Sequence, residues 1–341
     1  MFRHSAIRFI ALATLASVAI GCGSSDRPDI KSATAGANPP VVSGSSVDTA
    51  EPSVTTGTSE AMPVTYERAE SSYTSGDYPS ATQLFTLYTE KHPENAWGHF
   101  MLGLAAWKNG DSERALSAFD RALELDPNHR KSMYNSSRVL LEKGQAQEAL
   151  ERIEQALGQE PRSTEGLRLL GRAKYQLGKV DQAIDAYRRA LSTDARDVWS
   201  MNNLGLIYIE QERSGEALGP LARAVQLRAN APVFQNNLGV ALERSGYPVA
   251  AAKAYEAAIQ VDSSYTKASV ALARVTSGQQ QPESEPVDLD GLAEQFLSDI
   301  AGWRGSEPVM DSTEIDSVVS DSTTGEIKVS ADTVMEGHQE E

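Results

Sequence analysis

Cysteine is almost absent from this chain. Cys22 is the only one among 341 residues, so no internal disulfide can form. Histidine is scarce too. His4, His92, His99, His129 and His338 show no metal-ligand spacing, such as a pair four apart on one helix, and neither a phosphate loop nor a nucleophile elbow is present. These gaps set aside enzyme chemistry and cofactors as expectations. A basic surplus is missing as well: the net charge is −16, and residues 280–341 hold 16 acidic and two basic residues. The 26 acidic and 25 basic residues between 62 and 279 nearly cancel, which argues against nucleic acid as a partner, because phosphate binding needs a basic surface. Long apolar runs are limited to one. It covers Phe9 to Ile20, short of the roughly 20 residues that span a bilayer.

What the sequence has in abundance is self-similarity. Asn202-Asn203-Leu204-Gly205 returns as Asn236-Asn237-Leu238-Gly239, a displacement of 34 residues. Stepping that frame along the chain gives a small-residue column at Ala69, Gly103, Ser137, Gly171, Gly205 and Gly239. A second column is alanine throughout: Ala81, Ala115, Ala149, Ala183, Ala217 and Ala251. Four residues on come the bulky Phe85, Phe119, Ile153, Tyr187, Leu221 and Tyr255. Small positions let two helices close on each other, and the large side chain fills the wedge between them. Glycines at 76, 110, 144, 178 and 246 mark the turn inside each pair, with Pro93, Pro127 and Pro161 at helix ends.

On these columns residues 62–265 resemble six tandem tetratricopeptide repeats, with Met201-x-x-Leu204-Gly205-x-x-Tyr208 followed by Ala217 as the best-matching segment and Met201 where the family often has Trp. The resemblance implies an all-α, right-handed solenoid with repeats at 62–95, 96–129, 130–163, 164–197, 198–231 and 232–265. A capping helix over 266–277 would cover the last apolar face within an array ending near 279. The fifth repeat departs from the pattern. Glu212 replaces the turn glycine, and Gly219-Pro220 falls inside the second helix, where a local kink is expected.

Residues 1–21 read as a secretory signal: Arg3 and Arg8, the apolar run, then small residues. Ala19-Ile20-Gly21-Cys22 resembles a bacterial lipobox, although the family usually has leucine where Ala19 stands. The resemblance implies lipidation at Cys22 and a membrane contact through that lipid. Gly23 after the cysteine implies the outer membrane, facing the periplasm, if the host has one. Residues 22–61 are rich in Ser, Thr, Gly, Ala and Pro and are expected to form a disordered tether, with an r.m.s. span of about 35 Å.

In the family the first helix of each repeat lines a concave groove. The candidate groove residues are Trp97, Phe100 and Trp107, then Tyr134 and Arg138, then Arg168, Arg172 and Tyr175, and finally Trp199, Asn202 and Asn236. Two readings stand side by side. The cluster forms a peptide channel, aromatic at its early end and cationic at its middle, suited to segments carrying acids and apolar anchors. Alternatively the aromatics pack between first helices and the charges are simply solvated. Asn202 and Asn236 stand out as residues that the fold does not itself require. Within the acidic tail, 280–341, Leu289, Leu292, Phe296, Ile300 and Trp303 recur at helical spacing, which predicts an amphipathic helix over 288–304. That helix could dock on the array near Arg138, Arg168 and Arg172, serve another protein, or touch a membrane. Residues 306–341 are expected to be disordered.

The expected role is therefore an envelope-anchored scaffold binding partner proteins in its groove, in assembly of a pilus, secretion system or similar surface complex. The alternative is a carrier of peptidoglycan-related or other non-protein ligands for envelope enzymes.

Overall fold

A computed structural model describes residues 64–277 and 286–306. The signal, Cys22, the tether and the tail beyond 306 lie outside the described residues. Among those described, every regular element is helical. The six pairs are α1 (Tyr66–Thr74) with α2 (Tyr78–Lys91), α3 (Ala96–Lys108) with α4 (Ser112–Leu125), and α5 (Arg130–Glu142) with α6 (Ala146–Gln159). They continue as α7 (Thr164–Gln176) with α8 (Val180–Thr193), α9 (Val198–Glu210) with α10 (Ser214–Leu227), and α11 (Pro232–Arg244) with α12 (Pro248–Val261). Then come α13 (Thr266–Ser277) and α14 (Leu289–Ser306).

Local chemistry sets the helix boundaries. Asp77, Asn95 and Asp111 each accept a hydrogen bond from the backbone N–H three residues on, capping α2, α3 and α4. Inside five pairs the turn residue is a glycine with φ between 72° and 86°; in the fifth pair Glu212 takes φ 62°, a left-handed conformation that costs an L side chain energy. The proline in α10 does not end that helix, which runs unbroken from Ser214 to Leu227.

Packing explains the columns. A Cβ placed on Gly103, Gly171, Gly205 or Gly239 would sit 2.5–2.7 Å from Phe119, Tyr187, Leu221 or Tyr255 respectively, so the bulky side chain of the second helix fills the space a side chain on the first would need. Ser137 fits the same position by donating from Oγ to the carbonyls of Met133 (2.7 Å) and Ala149 (3.3 Å). All six column alanines are fully buried.

Among the described residues the backbones of successive first helices approach one another, whereas those of successive second helices do not, and α4 and α6 are bridged at the length of their side chains by Arg152 and Asp120 at 2.7 Å. The first helices therefore lie on the inside of the bend and the second helices on the outside, with a furrow between each second helix and the next. On the last repeat α13 packs against α11 and α12, burying Ala268, Ala271 and Val275.

Candidate functional site: a concave row and a convex furrow

On the concave side the structure places the sequence-derived candidates unequally. Trp97 on α3 is the exposed one, at 39 % accessibility. Its Nε1 donates to the Tyr66 hydroxyl at 2.7 Å, Phe100 packs at 5.0 Å between ring centroids, and the Lys131 ammonium lies 5.0 Å from the ring centroid. Tyr175 and Arg172 are half-buried, and so is Trp199, which stacks edge-on against Phe234 at 5.1 Å. The Tyr175 hydroxyl donates to Glu210 of the next repeat. Beside that contact lies an open depression of about 640 Å³, lined by Tyr175, Gln176, Ile207, Glu210 and Gln211 among others.

The remaining candidates are corrected by burial. Trp107 is 1 % exposed, a core residue whose Nε1 donates to Glu142 at 2.9 Å; Phe100 and Tyr134 are buried as well. Arg138 is buried and donates to Glu165 at 2.5 Å and to Asn135 at 3.1 Å. Arg168 faces Asp197 at 3.5 Å. Burial pushes the Asp197 carboxyl up, against the opposing pull of Arg168 and of the Ser200 hydrogen bonds. The cationic middle expected of the groove is thus largely matched from within, because each of these two arginines meets a carboxylate carried by the following repeat or the turn before it.

Asn202 and Asn236 are also buried rather than presented to a ligand. Asn237 donates to the Asn202 carbonyl oxygen at 2.8 Å, and Asn236 donates to that of Asn237 at 3.3 Å. These amides tie the fifth repeat to the sixth, so the fold does use them. The pattern is general. Trp107 with Glu142, Tyr175 with Glu210, Gln176 with the Leu141 carbonyl, Asn237 with Asn202, and Arg244 with the Ile209 carbonyl are all 35 residues apart. From α3 to α11, one period plus one residue is a register at which neighbouring first helices meet, a signal present in the sequence once the period is known.

The convex side carries a feature that the columns also encode. Helix α14 does not dock near Arg138, Arg168 and Arg172; it crosses α10 and α8 on the outer face. Its Ala293, Phe296 and Ile300 are buried there. The physical reason is that an apolar stripe needs an apolar surface, which α10 offers and the charge-matched concave row does not. Along the outer column of the second helices stand Gln83, Ser117, Glu151, Asp185, Gly219 and Lys253, and three residues on stand Thr86, Asp120, Glu154, Arg188, Ala222 and Glu256. Only the fifth repeat is stripped bare, with Gly219 and Ala222. A Cβ on Gly219 would lie 3.0 Å from the Leu292 carbonyl oxygen and 3.2 Å from the Phe296 Cβ, so the backbones approach where a side chain would prevent it. Gln226 donates to Asp290 at 2.7 Å, the Arg304 Nε donates to the Ser192 carbonyl at 2.6 Å, and the Arg188 guanidinium lies 5.1 Å from the Trp303 ring centroid. Gly219-Pro220 is thus a helix seat.

Among the described residues no group of three or more His, Cys, Asp or Glu side chains could hold a metal ion, and no helix is long and apolar enough to cross a membrane.

An all-helical array of paired helices with a 34-residue period defines a helical-repeat solenoid, the class of fold that presents long surfaces to other macromolecules. Family comparison makes the class specific. Residues 86–195 match the cytochrome c-type biogenesis protein H TPR domain, and residues 169–232 and 202–266 match a tetratricopeptide repeat family. The chain belongs to the tetratricopeptide repeat proteins. Among solved structures, the Cut9-Hcn1 hetero-tetramer of the APC/C aligns at 18% identity over 73% of this chain and 47% of that one, with a TM-score of 0.55. A thermophilic TPR protein of Thermus thermophilus, TTC0263, aligns at 22% identity over 53% of this chain and 98% of its own, with a TM-score of 0.47. PilF of Pseudomonas aeruginosa aligns at 18% identity over 65% and 97%, with a TM-score of 0.48. These similarities concern the fold. No curated protein matches the sequence. Family and fold together make the chain a protein-interaction scaffold.

Proposed function

We propose that the protein is an envelope-anchored scaffold that takes segments of partner proteins along its concave face, between Trp97 and the depression beside Tyr175. The observation that carries this reading is the contrast within the row. Most of its polar side chains are matched between repeats, while Trp97 keeps an exposed aromatic surface and the Tyr175–Glu210 contact borders open space. A large aromatic left exposed on an otherwise satisfied surface is the usual anchor point of an interface. With Arg138 and Arg168 engaged by Glu165 and Asp197, the partner segment is selected by an apolar or aromatic anchor more than by acids. Anchoring through a lipid on Cys22 would set the array about 35 Å from the membrane on the 22–61 tether. Such a position suits assembly of a pilus, secretion system or similar surface complex.

Two variants test the groove. Trp97→Ala and Tyr175→Ala, each with unchanged helix content, are expected to lose the same co-purifying envelope protein. An unchanged set of co-purifying proteins would sink the groove assignment. Anchoring has a separate test: Cys22→Ser should release the protein from the membrane fraction and remove a lipid mass from its N-terminus. A variant that keeps both the wild-type fraction and the wild-type lipid mass would refute lipidation at that residue.

A further inference from the structure

The furrow between α8 and α10 is built to receive a helix, and the helix it holds lies on the surface of the array, joined to it by one face. Among residues 289–304 of α14, Ala293, Phe296 and Ile300 are buried, and Leu289, Leu292, Leu297 and Trp303 pack part-buried beside them, so one stripe of the helix carries its attachment. The solenoid is also closed without α14, since α13 already covers the last repeat. Removing α14 would leave the array intact and expose the bare strip at Gly219 and Ala222, flanked by Gln226, Arg188 and the Ser192 carbonyl.

We propose that this convex furrow is a second partner-docking surface, specific for an amphipathic helix, and that α14 is its detachable internal occupant. The partner chemistry is set by what the furrow already grips. It needs a small residue at the Ala293 position to meet α10 closely, an aromatic three residues on, a β-branched residue four beyond that, and a second aromatic three later to lie on Arg188. It also needs an oxygen acceptor in its first turn for Gln226 and a cation near its end for the Ser192 carbonyl. A tethered occupant holds such a site at high effective concentration, so an outside helix gains access only by outcompeting it. The furrow is therefore closed by default and opened by a better ligand. It lies on the face opposite the groove proposed above and does not depend on that groove binding anything.

The test uses full-length protein and a fluorescein-labelled peptide with the sequence of residues 286–306. In the double variant Phe296→Asp, Ile300→Asp the internal helix is lifted while the repeat core is untouched, which unchanged repeat helicity by circular dichroism verifies. Fluorescence anisotropy is expected to show the peptide binding this variant at least tenfold more tightly than the wild type. Adding Gly219→Leu to the opened variant is expected to abolish binding, because the leucine occupies the space of the Leu292 carbonyl. Peptide that binds neither protein, binds both equally, or still binds with Leu at 219 would overturn the proposal. So would concentration-dependent dimers of the wild type that Phe296→Asp dissolves, since the furrow's external occupant would then be a second copy of the chain.

Discussion

At the scale of single residues, the repeat is enforced by exclusion. Gly103 stands where any side chain would strike the Phe119 ring, so Gly103→Ala is expected to destabilise the array by about 2 kcal/mol in urea unfolding, as overpacking of a filled core does. Gly158, near the end of α6, has nothing within 4 Å of the place a methyl group would take, and Gly158→Ala should instead stabilise by about 0.5 kcal/mol through helix propensity. Opposite signs from the same chemical change are the discriminating result; two destabilisations of equal size would contradict the packing account. Glu212 offers the converse. Its left-handed φ of 62° sits where the other repeats carry glycine, so Glu212→Gly should raise the urea midpoint, by about 1 kcal/mol of stability. These positions were legible in the sequence because a period aligns them. Burial of Trp107, Arg138 and Asn202 was not, since aromatic and charged residues on a first helix serve groove and inter-repeat contact alike until their partners are located.

At the scale of elements, each helix depends on the turn that launches it. His129 caps α5, with Nδ1 facing the Ser132 N–H at 3.3 Å and the Ser132 hydroxyl at 2.7 Å. Burial pulls its imidazole pKa down, Lys131 adds to that, and Asp126 opposes. A base held below its unfolded value makes the unfolded chain the better proton binder once the pH falls below about 6.5, so the contribution is intact above that pH and is lost on acidification. The positive end of the α5 dipole acts in the same sense. His129→Asn keeps a capping acceptor and removes the titration. Urea midpoints at pH 7.5 and 5.5 should therefore fall less in the variant than in the wild type; equal falls would show that His129 does not contribute. Helix existence was readable from periodicity for α14 as for the repeats, whereas its docking face was not. Gly219-Pro220 reads as a kink when a breaker is judged against its own helix alone. Comparing Gly219 and Ala222 with the polar residues of the same columns identifies the strip as a seat, and the structure supplies the helix that sits there.

At the scale of the whole molecule, the two faces divide the work. Inside the bend, contacts at one period plus one residue lock the successive first helices from α3 to α11 and leave Trp97 and the Tyr175 depression as the accessible features. Outside it, second helices whose backbones stand apart leave furrows, one of which the chain fills with its own α14. The solenoid was legible from the 34-residue repeat alone, because each unit uses the same small and large positions. The groove's charge balance was not, because Glu165 reaches Arg138 across a repeat boundary and Asp197 reaches Arg168 from the far end of its own repeat. The measurement that most directly tests partner binding on the concave face is photo-cross-linking in cells. A photoreactive amino acid is placed at Trp97, at Tyr175, or at Glu151 on the exposed outer face of α6 as a control. One discrete protein adduct is expected from 97 and from 175, with the same partner at both, and none from 151. Adducts from 151 alone, or no protein adduct from either concave position, would contradict it.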